Sequence, residues 1–155
     1  MLDMVGLRAG LGREQRLLGV DPGAKSIGLA LSDVGLMLAS PFGQVRRGKF
    51  GAVVAELGRI VAAQGVGGLV VGLPLSMDGG FGPAAQAARD WAHGVAAALG
   101  LPVAMWDERL SSSAANRVLV GEADLSRARR AQLVDAMAAS YMLQAALDAS
   151  RSDRR

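Results

Sequence analysis

The chain has 155 residues, enough for one domain around one core and too few for a second. Half of it (51%) is apolar and only 4% aromatic, a composition that argues against disorder and suits helices packed tightly on a sheet. There is no cysteine and a single histidine, which excludes disulfide staples, thiolate zinc sites and histidine-cluster metal sites, so any metal must be held by carboxylates and is expected to be a hard cation, Mg²⁺ or Mn²⁺.

In chain order, residues 1–15 read as a disordered N-terminal extension, with Asp3 and Arg8 interrupting any signal-like core. Arg16 to Asp21 (RLLGVD) is a short apolar run that closes on an acid before Pro22-Gly23, a strand ending in a turn. Ser26 to Asp33 is a second strand, and Leu36 to Arg47, broken by Pro41, a third with a bend. The turns between them are short, so antiparallel pairing is expected. Phe50 to Gln64 carries Val53, Val54, Leu57, Ile60 and Val61 at helical spacing. Gly68 to Leu73 is a buried-strand run leading into a glycine-rich loop through Gly82. Ala84 to Leu99 is a helix, with Pro83 at its start and Gly100 at its end. Pro102 to Asp107 is a fifth strand, Ser111 to Val120 a short helix capped by Ser111 or Ser112, and Arg127 to Asp148 the longest helix. Three antiparallel strands followed by two strand–helix units predict a mixed sheet with helices on its faces. The domain is expected to span 16–149, with 150–155 a basic tail. No apolar stretch approaches the ~20 residues needed to cross a bilayer, so a cytoplasmic protein without a membrane partner is the expectation.

The acids carry the chemistry. Asp21 closes the first strand, Asp107 and Glu108 close the fifth, and Asp135 lies inside the last helix. If strands one and five run parallel, their C-terminal ends share an edge, where α/β sheets place ligand sites. Carboxylates gathered there repel one another unless a cation compensates. Val134, Met137, Ala138, Tyr141, Met142 and Ala145 predict an apolar face with Asp135 at its border, where a buried charge needs a partner: Arg109, Arg130 or a metal. Three such acids suit two-metal phosphodiester cleavage, which needs no histidine base, and His93 reads as a surface or core-edge residue. Asp33 and Asp78 read as turn residues. Net charge is only +3, but the basic residues cluster at Arg46, Arg47 and Lys49, at Arg127, Arg129 and Arg130, and at the tail, a pattern that fits a polyanion-binding face.

Four segments, GVDPGAKSIGLALSD (19–33), VVGLPLSMDGG (70–80), DERLSSSAA (107–115) and VDAMAASYMLQ (134–144), resemble in order and spacing the signature blocks of the YqgF/RuvX family. The resemblance implies a ribonuclease-H-like α/β fold with a five-stranded mixed sheet flanked by helices, related to RuvC-type Holliday junction resolvases. It also implies a metal-dependent nuclease, with bacterial members linked to maturation of the 5′ end of the 16S rRNA precursor. Carried over residue by residue, it makes Asp21 the first-strand acid, Glu108 rather than Asp107 the second, and Asp135 the acid on the last helix, all three as catalytic and metal-holding residues. Lys25, Arg109, Arg127, Arg129 and Arg130 are the candidates for nucleic-acid contacts. Gly28 is read as leaving room for substrate backbone.

Four functions compete. A nuclease acting on the 16S rRNA precursor and a structure-selective DNA nuclease cutting four-way junctions share one chemistry; the second needs a homodimer to place two sites on paired strands. An actin-like phosphate-binding fold would need two such domains, and 155 residues provide one. A non-catalytic ribosome- or polymerase-associated binding module is disfavoured by the presence of all three acids.

Overall fold

The computed structural model describes residues 2–23, 25–74, 80, 82–108 and 127–152. Among them, five strands form one sheet in the order β3-β2-β1-β4-β5. The strands are β1 (Arg16–Pro22), β2 (Ser26–Ser32), β3 (Ala39–Arg46), β4 (Val66–Leu73) and β5 (Val103–Asp107). The first three pair antiparallel, while β4 runs parallel to both β1 and β5. This is the mixed sheet expected from the element order, and it has the ribonuclease-H-like arrangement that the family resemblance implies. The C-terminal ends of β1, β4 and β5 consequently lie along one edge.

Helices α2 (Phe50–Gln64) and α3 (Pro83–Leu99) cover one face, and α1 (Met4–Ala9) with α4 (Arg127–Ser152) covers the other. Strand alternation divides the apolar side chains between the faces. Leu18, Val20, Leu29, Leu69 and Val71 meet α2 and α3. Leu17, Ala30, Val70 and Ala104 meet α1 and α4. The α4 face is built from much smaller residues, and that helix comes correspondingly close. A Cβ added at Gly19 would lie 3.0 Å from Leu143 Cβ and 3.4 Å from the Ala139 carbonyl oxygen. Helices α2 and α3 stop where Gly65 and Gly100 adopt left-handed backbone (φ 65° and 68°), which frees glycine to close each last turn.

Three expectations are corrected. Residues 2–15 are not a loose extension: α1 buries Met4 and Leu7, Leu7 packs over Gly68, and Leu2 bridges to Ala104. A six-residue helix is too short to show a period, so its burial has no local signature. At the other end, α4 runs on to Ser152 with Ser150 buried, so the chain from 150 begins as helix and not as tail. Strand β3 starts at Ala39, not Leu36, because the Asp33 carboxylate accepts the N–H groups of Met37 (2.8 Å) and Leu38 (3.0 Å) and holds the intervening residues in a turn. The short helix predicted for 111–120 lies outside the described residues, as does most of the loop after Pro74.

Candidate active site

One row of residues crosses the sheet near its C-terminal edge. Gln44 pairs with Gly28, Gly28 with Asp21, and Gly72 with Trp106. Asp21 and Gly72 fall side by side, one residue beyond the last β1–β4 pair, Val20 and Val71. Residues opposite one another in neighbouring strands share a face, here the α4 face. Asp21 therefore stands between two glycines. Each leaves a trough where a side chain would otherwise rise from the sheet, and each trough is filled by an acidic residue.

Over Gly28 lies the backbone of Asp135. A Cβ at Gly28 would collide with the Asp135 carbonyl oxygen and lie 2.6 Å from its carbonyl carbon. The glycine makes room for α4, not for a substrate backbone, contrary to the expectation from sequence. The Asp135 carboxylate accepts the Ser26 hydroxyl at 2.6 Å in a half-buried setting. Ser26 precedes Gly28 by two residues and so shares its face. The half-buried carboxylate thus has a hydroxyl partner, while Arg109 and the side chain of Arg130, named with a metal as the expected partners, lie outside the described residues. That alternation was the signal available in the sequence.

Over Gly72 lies the side chain of Glu108. Its Oε1 would be 2.5 Å from a Cβ built on Gly72, and its Cγ and Cδ 3.0 Å away. Trp106 packs on the α4 face and alternation sends Asp107 to the other, while Glu108, just past the end of β5, returns to the α4 face over Gly72. Of the adjacent pair, Glu108 is therefore the one on the same face as Asp21 and Asp135.

The face of α4 differs from expectation. Its buried arc runs through Ala136, Ala138, Ala139, Met142, Leu143, Ala146 and Leu147, with Val134, Met137 and Tyr141 only half-buried. Asp135 lies within this arc and not at its border. Among the described residues, no three acidic or histidine side chains stand close enough to hold one ion. The donors on this face are nonetheless all oxygen, a set suited to a hard divalent cation.

Lys25 is exposed in the β1–β2 turn. Arg127, Arg129 and Arg130 belong to the first turn of α4, which begins about 12 Å along the helix axis from Asp135. Their side chains, and Arg109 entirely, lie outside the described residues. His93 is exposed on α3. Sequence reading left Arg47 out of the site. Its Nη1 donates to the Gly23 carbonyl at 2.7 Å, and its Cζ stands 5.8 Å from the centre of the Trp91 ring, beside the turn that follows Asp21.

The model of the RuvX family, described as Holliday junction resolvase, matches residues 15–149. The chain belongs to the RuvX family. Relatives named "Putative pre-16S rRNA nuclease" include one from Gluconacetobacter diazotrophicus, 67% identical over 150 residues and 97% of each chain. Another, from Gluconobacter oxydans, is 60% identical over 139 residues, 90% of this chain and 87% of the relative. Among solved structures, Thermus thermophilus RuvC in complex with a Holliday junction substrate matches with a TM-score of 0.55 and 21% identity, covering 90% of this chain and 97% of that one. That likeness concerns the fold. As a RuvX-family member the chain is a nuclease, a hydrolase of phosphodiester bonds.

Proposed function

We propose that this chain is a divalent-cation-dependent nuclease that processes the 5′ end of the 16S rRNA precursor in the cytoplasm, with Asp21, Glu108 and Asp135 as its catalytic acids. The observation that carries the site is the flanking of Asp21 by two glycines, with Asp135 over one and Glu108 over the other. The choice of substrate rests on the close relatives named for that activity. Asp21 would hold Mg²⁺ or Mn²⁺ in pairs, with Asp135 on one side and Glu108 on the other, since no three acids stand together among the described residues. When bound, such a cation supplies stabilisation of the charge that develops on the phosphodiester oxygens. Asp21, fixed by the sheet, orients the scissile phosphate's environment; Asp135 is held by Ser26; Glu108 reaches across Gly72 from the neighbouring strand. Lys25 and the arginines of the α4 N-terminus, Arg127, Arg129 and Arg130, together with Arg109, contact the backbone of the substrate.

The test is a cleavage panel with wild type, Asp21→Asn, Asp135→Asn, Glu108→Gln and Asp107→Asn. Substrates are a precursor-like RNA with a 5′ extension and a mobile four-way DNA junction, each with EDTA, Mg²⁺ or Mn²⁺. The expected result is metal-dependent RNA cleavage that is lost in the first three variants and retained in part by Asp107→Asn. Activity surviving in Asp21→Asn or Asp135→Asn refutes the site. Paired cuts in the junction, with RNA untouched, replace the substrate by branched DNA and call for a homodimer.

A further inference from the structure

We propose that Arg47 and a hollow beside it form a subsite for one nucleotide neighbouring the cleaved bond, on the face of the sheet opposite the acids. The inference deepens the nuclease reading above and rests on it for the substrate class, a polynucleotide strand. The hollow has a volume of about 280 Å³ and is walled by Pro22, Pro74, Ala84, Ala88 and Trp91, with Arg47 at its rim. That volume lies just below the range of pockets for whole small ligands and suits a single base.

Position makes the hollow relevant. Asp21 and Pro22 are consecutive, about 3.8 Å apart at Cα, and alternate to opposite faces. The end of β1 is therefore a ridge with the acids on one side and the hollow on the other. A strand bent across this ridge sets one phosphate over the acids and its neighbour beside Arg47.

Chemistry agrees with position. Arg47 is held in place from two sides, by the Gly23 carbonyl and by the Trp91 ring. Among the described residues no carboxylate pairs with it, and its remaining guanidinium N–H groups have no acceptor. A fixed, uncompensated guanidinium presents a planar donor fork suited to phosphate. Exposed Arg46 and Lys49 lie close to it in sequence, and exposed Lys25 is brought beside it across the strand pair, its carbonyl accepting the Arg47 backbone N–H at 2.9 Å. Arg46, Arg47 and Lys49 are the basic cluster that the acid site leaves without a task. Apart from the single indole N–H of Trp91, the described wall of alanine, proline and tryptophan offers no hydrogen-bonding side chain, so the base is received mainly by shape and apolar contact without strong preference for its identity.

The experiment separates the subsite from the chemistry. Binding of a fluorescein-labelled single-stranded oligoribonucleotide, and of its deoxy counterpart, is followed by anisotropy in EDTA across a salt series. Arg47→Gln is expected to weaken binding roughly 5- to 10-fold and to lower the slope of log K against log salt by about 0.7, the share of one phosphate on a single strand. Ala88→Leu fills the hollow without changing charge. In wild type, a scan of abasic positions is expected to reveal one base whose removal weakens binding, and Ala88→Leu is expected to abolish that sensitivity. Thermal melts of both variants confirm that they are folded, and Ala87→Leu replaces Ala88→Leu if the latter is not. An unchanged salt slope in folded Arg47→Gln overturns the subsite, as does an unchanged abasic profile in the filled variant or absence of wild-type binding. A protein that shows the expected binding but cleaves nothing with Mg²⁺ or Mn²⁺ refutes the nuclease chemistry and supports the subsite. Cleavage at wild-type kcat/KM by Arg47→Gln does the reverse.

Discussion

Replacing Gly28 or Gly72 by alanine adds one methyl group beside Asp21 in each case, yet the two should fail differently. At Gly28 the new Cβ meets backbone: the Asp135 carbonyl carbon would be 2.6 Å away, about 0.8 Å short of an ordinary contact of about 3.4 Å. No rotamer relieves this, so α4 must lift from β2 or β2 must bend. Overpacking of this kind costs about 3 kcal/mol, a large part of the ~5–15 kcal/mol that holds a domain together. The melting temperature should fall by roughly 6–12 °C. The lift also carries Asp135 away from Asp21, and a misplacement near 1 Å costs on the order of 10²-fold in rate. At Gly72 the methyl meets the Glu108 side chain and no backbone, with Oε1 at 2.5 Å and Cγ and Cδ at 3.0 Å, and a side chain can change rotamer where a helix backbone cannot. Stability should drop by less than about 1 kcal/mol, while metal-dependent cleavage falls about 10-fold or more because Glu108 loses its place. Calorimetry and single-turnover cleavage on the same preparations check both. A Gly28→Ala protein with wild-type melting and rate would refute the close approach of α4. Wild-type cleavage by Gly72→Ala would remove Glu108 from the site.

Ser26→Ala deletes the hydroxyl that the Asp135 carboxylate accepts at 2.6 Å; stability should fall by about 1 kcal/mol, and the Mg²⁺ concentration for half-maximal cleavage should rise about 10-fold. An unchanged metal titration would make that hydrogen bond structural only. Leu7→Ala empties a fully buried position over Gly68 and should cost about 3 kcal/mol in urea unfolding; a change below about 0.5 kcal/mol would mean that α1 is not docked in solution. The Asp33 carboxyl is held below its ordinary value chiefly by the Leu38 N–H, then by Met37. Its contribution to stability is thus present above the unfolded value near ~3.9 and is lost as pH falls through the lower folded value. Asp33→Asn should flatten the acid limb of the stability curve below about pH 4, and identical limbs would refute the linkage.

Much of the fold is legible in the sequence because local chemistry decides it. Pro83 and Gly100 bracket α3, the apolar spacing of Val53 and Leu57 sets the inner side of α2, and the short turns around Pro22-Gly23 oblige β1 and β2 to pair antiparallel. What escapes is settled by contacts between distant segments. The inner face of α4 is misread when large apolar residues such as Tyr141 and Met137 are given most weight. The sheet opposite presents Gly19, Gly28, Ala30 and Gly72, and against such a surface the helix packs its alanines inward. The burial of Leu7 is invisible for the same reason: nothing in MVGLRA announces that Gly68, sixty-one positions later, leaves a place for it.

The acids illustrate both halves of this division. That Asp21 ends a strand can be read from its neighbours, whereas the choice between Asp107 and Glu108 depends on which way β5 faces. Neither residue type nor spacing fixes that direction; Trp106 does, by packing against the α4 side beside Gly72. Strand β4 then acquires a double use on one face. Gly68 receives Leu7 near its start, Val70 fills the core at its middle, and Gly72 receives Glu108 at its end. The same absence of a side chain serves packing at one end and the site at the other. The opposite face of β4, with Leu69 and Val71, carries bulk instead. A glycine-to-alanine scan along β4 should therefore cost stability at Gly68, where the Leu7 and Leu17 side chains crowd the added methyl at 2.8 and 3.1 Å, and activity at Gly72. Equal losses of both at the two positions would refute this division of labour along a single strand.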